Sequence, residues 1–167
     1  MWKGTGILIL IALGACSSRR PAEVLTTEQA LAGLSRCAPE EAGGEGWSMK
    51  ITSISRDSQS TRVGIAVSTT AAPVDFDLPV YRLSRGRWLI NQSGRAYLLD
   101  RDCREYKLKD RKPSPGQEIP LEGRIRVTPA APFEATLIFP RIPDASRVGM
   151  LVYNGRKLPF TIGIESR

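Results

Sequence analysis

Two hydrophobic periodicities divide the chain. Leu31, Leu34 and Cys37 recur at helical spacing, and Thr26 with Gln29 has the spacing of a capping box. A helix is therefore predicted over residues 27–36, with Cys37 on the side that meets the core. From Trp47 onward the period falls to two. Trp47, Met49 and Ile51 alternate with polar residues, and so do Val63, Ile65 and Val67. Between these two half-buried strands Asp57-Ser58-Gln59-Ser60 reads as a turn. Strand, glycine turn and strand follow again over 78–83, 84–86 and 88–90. Strand-like segments 95–100 and 105–108 flank Cys103, whereas 110–116, with two prolines and mixed charge, reads as a surface loop. Segments 123–128, 133–139, 148–153 and 158–162 complete the series. Asn154-Gly155 between the last two is the strongest short-range hairpin signal in the sequence.

About eight to ten short strands with closely spaced turn signals favour an antiparallel sandwich over any α/β arrangement. The expected fold class is mainly β: an antiparallel Ig-like β-sandwich with a short N-terminal helix as an appendage.

The N-terminus does not belong to this pattern. Met1-Trp2-Lys3 is followed by an apolar stretch from Ile7 to Leu13 and then by Gly14-Ala15-Cys16. That is the layout of an export signal, and it is shorter than the roughly 20 apolar residues a membrane span needs. Leu13-Gly14-Ala15-Cys16 resembles the lipobox of bacterial lipoproteins. The resemblance implies cleavage before Cys16 and acylation of its thiol. Residues 1–15 are then the signal peptide, 16–25 a tether, and 26–167 a single domain. An ordinary secretory signal, or an uncleaved anchor, is the alternative. Acyl chains on Cys16 would hold the domain on a membrane without a transmembrane helix. Ser17 stands where the inner-membrane retention signal of Gram-negative lipoproteins has Asp. In a Gram-negative envelope the expected location is therefore the periplasmic face of the outer membrane.

Export changes the reading of the other two cysteines. Of the three, Cys37 and Cys103 remain, an even number in an oxidising compartment, and a Cys37–Cys103 disulfide is expected. Closing a loop of that length stabilises a fold by about 4 kcal/mol in the chain-entropy model. Two buried free thiols are the alternative.

Composition bounds the chemistry. Apolar residues at 41% and charged residues at 25% fit one ordinary globular domain. The formal charge of +7 falls to +6 when Lys3 leaves with the signal peptide. Such a domain is attracted to an anionic membrane surface, while export argues against nucleic acid as a partner. With no histidine, Ser-His-Asp and Cys-His catalysis are excluded in their usual form, as are histidine zinc sites. No lysine sits in a Ser-x-x-Lys motif. The expectation is a non-enzyme with no metal and no cofactor. Asp75 with Asp77, and Asp100, Asp102 and Glu105, are too few for Ca²⁺ and read as solvated turn residues.

A second resemblance enters in the C-terminal half. The run from Tyr97 to Tyr106, a proline-rich loop, a strand ending in Phe139-Pro140-Arg141-Ile142-Pro143-Asp144, and Leu151-Val152-Tyr153 are similar to uncharacterised Ig-like domains of secreted and lipid-anchored bacterial proteins. Those domains carry a D-x-x-G-x-x-Y pattern before the strand; here Cys103 stands in the glycine region. The resemblance implies a sandwich and carries over no catalytic residue. Besides an enzyme with an unrecognised site, two functions remain. One is a lipid-anchored, non-enzymatic envelope module that acts as an assembly accessory or binds a protein partner, with strand addition as a docking mode. The other is capture of a carbohydrate or anionic cell-wall polymer by Arg82, Arg87 and Trp88.

Overall fold

The computed structural model describes residues 27–38, 46–79, 81–84, 87–90, 96–120 and 122–162, with side chains omitted at 27, 81–84 and 87–90. One helix and twelve strands occupy the described residues. Helix α1 is Thr27–Cys37, one residue longer than predicted. The first sheet holds β1 (Ser48–Arg56), β2 (Ser60–Ser68), β10 (Phe133–Pro140) and β8 (Asp110–Pro113), in the order β1-β2-β10-β8. The second holds β12 (Arg156–Thr161), β11 (Val148–Tyr153), β6 (Tyr97–Asp100) and β7 (Glu105–Lys107), in the order β12-β11-β6-β7. All their pairings are antiparallel. Two smaller ribbons pair β3 (Val74–Asp77) with β9 (Arg124–Val127), and β4 (Tyr81–Ser84) with β5 (Arg87–Ile90).

Alternation places the core between the two large sheets. Val63, Ile65 and Val67 on β2 and Phe133, Ala135, Leu137 and Phe139 on β10 point inward. They join Leu98, Leu151, Tyr153 and Phe160 of the second sheet in one hydrophobic cluster. Burying each such side chain contributes roughly 1.5–3 kcal/mol, which makes this shared layer the main source of stability. The hairpin turns follow their sequence signals. Asn154 and Gly155 both have positive φ, at 48° and 81°, as a two-residue hairpin turn of matching twist requires. In the β1–β2 turn the Asp57 carboxylate accepts hydrogen bonds from the amides of Gln59 and Ser60 and from the Ser60 hydroxyl. Those bonds, the Gln59 amide's first, lower its pKa to about 2.

Two elements differ from the expectation. Segment 110–113 is a strand, because β8 lies at the edge of its sheet, where a terminal proline costs the ladder little. And α1 is no appendage. Leu34 and Ala38 form a second buried cluster with Leu99, Val148, Met150 and Val152 on the outer face of β6 and β11. The second sheet is thus covered on both sides, and all six residues of β11 are buried.

Gly149 lies at the tightest point of this arrangement. A Cβ there would stand 2.5 Å from Cζ of Phe160 and 3.1 Å from the Leu99 carbonyl. Gly149→Ala is expected to cost about 2 kcal/mol by overpacking and to lower Tm by roughly 6 °C, read by thermal unfolding. An unchanged Tm would mean that Phe160 has room to move.

Candidate functional site

The most highly organised polar site is the turn between β6 and β7. Asp100 is only 2% exposed, and an isolated carboxylate there would be costly without partners. It has three: its Oδ1 accepts from the amides of Asp102 (2.9 Å) and Arg104 (3.0 Å), and its Oδ2 accepts from the Tyr106 hydroxyl (2.8 Å). The Cys103 amide donates to the Asp100 carbonyl. These bonds wrap the chain so tightly that Cys103 takes φ 62°, a conformation that favours glycine. Burial, then the bond to Asp100, pushes the Tyr106 phenol above its ordinary pKa. The turn therefore presents the Cys103 side chain at a fixed place beside the end of α1.

Cys37, the last residue of α1, meets it there. The two cysteines stand at disulfide distance, with Cα atoms 5.7 Å apart across a sequence separation of 66. Cys103 is exposed and Cys37 half-buried. The pair and the small apolar layer beneath α1 act at the same place: one fixes the end of the helix, the other its face. Lys157 Nζ adds a bond to the Ser35 carbonyl at 3.4 Å.

A second site gathers where β2 and β11 finish and β1 and β10 begin. Phe76 of the β3–β9 ribbon stacks on Tyr153 at 5.3 Å and meets Trp47 edge-on at 5.0 Å. The Arg156 guanidinium lies 3.8 Å over the Trp47 ring. The Tyr153 hydroxyl donates to the Asp77 carbonyl at 2.7 Å, and buried Arg111 donates through Nε to the Pro79 carbonyl. The ribbon inserted between the sandwich strands is thereby tied into the shared core.

Burial pushes the Tyr153 phenol far above its ordinary value. Because the folded pKa of both Tyr153 and Tyr106 is raised, their contribution is intact below the unfolded value of about 10 and is lost as pH rises past it. The expected result is that tyrosinate absorbance from Tyr153 appears only together with alkaline unfolding, and that of Tyr106 only above its ordinary range. Reversible ionisation of all four tyrosines near pH 10 with the fold intact would contradict this burial.

The candidate ligand residues Arg82, Arg87 and Trp88 all fall on the β4–β5 ribbon. There Arg82 pairs with Leu89, Ser84 with Arg87 and Leu83 with Trp88. Their side chains, like Cys16, the tether and the signal segment, lie outside the described residues. The carboxylates are placed differently from the turn expectation. Asp75 and Asp77 sit on β3 and face Arg126 at 3.6 Å and Arg124 at 3.3 Å across the ribbon. These pairs are solvent-exposed and contribute little to stability. Asp100 is buried rather than solvated. Among the described residues no group of three or more His, Cys, Asp or Glu side chains is arranged to hold a metal ion. No described helix is long and apolar enough to cross a membrane.

Sequence reasoning missed the role of Asp100 and Tyr106. The signal available was their six-residue spacing around a turn containing Asp-x-Asp, whose first carboxylate is well placed to cap amides two and four residues on. No family model, curated protein or solved structure matches this chain.

Proposed function

We propose that this chain is exported, cleaved before Cys16 and acylated on that residue, and that it serves as a non-enzymatic, lipid-anchored envelope lipoprotein. In this reading the domain is an interaction or assembly accessory module for another envelope protein. The carrying observation is the cysteine pairing: with Cys37 and Cys103 at disulfide distance, Cys16 is the one cysteine left to carry lipid. A paired cystine also fits an oxidising compartment.

The finer Ig-like reading of the sandwich rests on strand order. With β3, β4, β5 and β9 set aside as insertions, β1-β2-β10-β8 corresponds to the ABED sheet of such domains. Likewise β12-β11-β6-β7 corresponds to GFC with an added edge strand. The insertions enlarge the loops at one end, the usual place for recognition in a sandwich.

Fractionation tests the anchor. Wild type should stay with membranes until detergent is added, whereas Cys16→Ser should appear in the soluble extract; a soluble wild type contradicts the proposal. A photo-crosslinker in the β4–β5 ribbon should give a discrete protein adduct in intact cells. Retention on cell-wall polymer that Arg87→Ala with Trp88→Ala abolishes at unchanged stability would mark polymer capture instead.

A further inference from the structure

We propose that the Cys37–Cys103 pair is a redox latch that holds α1 on the outer face of the second sheet, and that reducing it releases the helix while the sandwich stays folded. Three features converge on this place. Helix α1 has eleven residues, fewer than the roughly 12–15 an isolated helix needs in water, so it depends on what it is attached to. Its buried anchors are few: Leu34 on the helix and Ala38 just past its end, against Leu99, Val148, Met150 and Val152. That layer is separate from the core shared by the two sheets, so opening it leaves the main core intact. Finally, Cys103 is exposed at the end of its turn, where another thiol can reach it, while Cys37 is half-buried.

The chemistry is ordinary exchange with a dithiol reductant. Its thiolate attacks Sγ of Cys103, forming a mixed disulfide and expelling Cys37 as thiolate, which takes up a proton. The second thiol of the reductant then displaces Cys103, which leaves as a thiol. Two electrons and two protons have entered the protein, and the reductant ends as its own disulfide. The helix loses its covalent hold, and the apolar strip of β6 and β11 becomes available.

Release also lengthens the leash, a consequence that rests on the anchored reading above. With α1 docked, residues 17–26 separate the lipid from the fold and span at most about 35 Å. With α1 free, residues 17–45 do so, at most about 100 Å. A latched domain stays close to its membrane; an unlatched one reaches partners well beyond it.

Hydrogen exchange on the purified full-length protein, with and without a phosphine reductant, tests the latch. Reduction is expected to leave the α1 amides about a hundredfold or more less protected than those of β2 and β10, which weaken only as far as global stability falls. A Cys37→Ser with Cys103→Ser variant should match the reduced protein. Unchanged α1 protection, or α1 protection that falls only in step with that of β2 and β10, overturns the proposal. The leash is read separately, on vesicles of neutral and anionic phospholipid carrying a surface energy-transfer acceptor, with a donor attached at position 154. Transfer should fall on reduction. Failure of the oxidised protein to bind vesicles would contradict the anchor and leave the exchange result standing; vesicle binding without the fall in transfer would contradict the leash.

Discussion

Replacing Asp100 by alanine is expected to lower the unfolding free energy by about 3 kcal/mol, the largest loss from any single side chain in the β6–β7 turn. The carboxylate accepts three hydrogen bonds at a position only 2% exposed, and its removal orphans the Tyr106 hydroxyl and the amides of Asp102 and Arg104 together. A fully buried donor left unpaired costs about 1–3 kcal/mol; these three are part-buried, so water and local relaxation return part of the sum. Asp100→Asn is the informative companion. It keeps an acceptor for the two amides and is expected to lose only about 1 kcal/mol. Urea unfolding of the two variants separates the readings: equal effects would mean that the negative charge, rather than the three-bond geometry, holds the turn. The same turn fixes the φ of Cys103, so Asp100→Ala should also slow formation of the Cys37–Cys103 pair during oxidative refolding.

The second large effect belongs to that pair. Cys37→Ser with Cys103→Ser is expected to lose about 4 kcal/mol, because a cross-link across a separation of 66 residues removes much of the freedom of the unfolded chain. A domain of this size holds about 5–15 kcal/mol in total, so the variant should remain folded but much closer to its limit. Putting glycine rather than serine at position 103 in the Cys37→Ser background should restore about 1 kcal/mol, since glycine adopts φ 62° without steric cost. Denaturant midpoints under oxidising conditions check both figures. A double variant as stable as wild type would show that the two sulfurs are not bonded in the working protein.

How far the sequence discloses this structure depends on how local each cause is. The β11–β12 hairpin was legible from Asn154-Gly155 alone, because the turn needs two residues with positive φ and both cause and effect lie within the same residues. The inward faces of β2 and β10 were legible from alternation, although the outward positions Gly64 and Ala66 of β2 are buried as well and only Arg62 is exposed there. Segment 110–113 was misread because Pro113 and Pro115 suggest a loop over 110–116, and only the neighbouring β10 turns its first part into an edge strand.

Strand β11 carried a signal that alternation obscures. Val148-Gly149-Met150-Leu151-Val152-Tyr153 has no polar position, as expected of a strand covered on both faces, and the cover on its outer side is α1. Asp100 was not legible as a buried hub. Its burial comes from the packing of β6 against β11, whereas an Asp-x-Asp turn taken alone looks solvated. The pairing of β3 with β9 joins segments about fifty residues apart, beyond what any local pattern encodes.

The intact mass of the membrane-extracted protein, before and after reduction, reads out both the lipid anchor and the joining of the two remaining cysteines. The expected species begins at Cys16, is heavier by its acyl chains, and gains two protons when reduced. An unacylated chain still carrying residues 1–15, or a mass unchanged by reductant, would contradict the proposal.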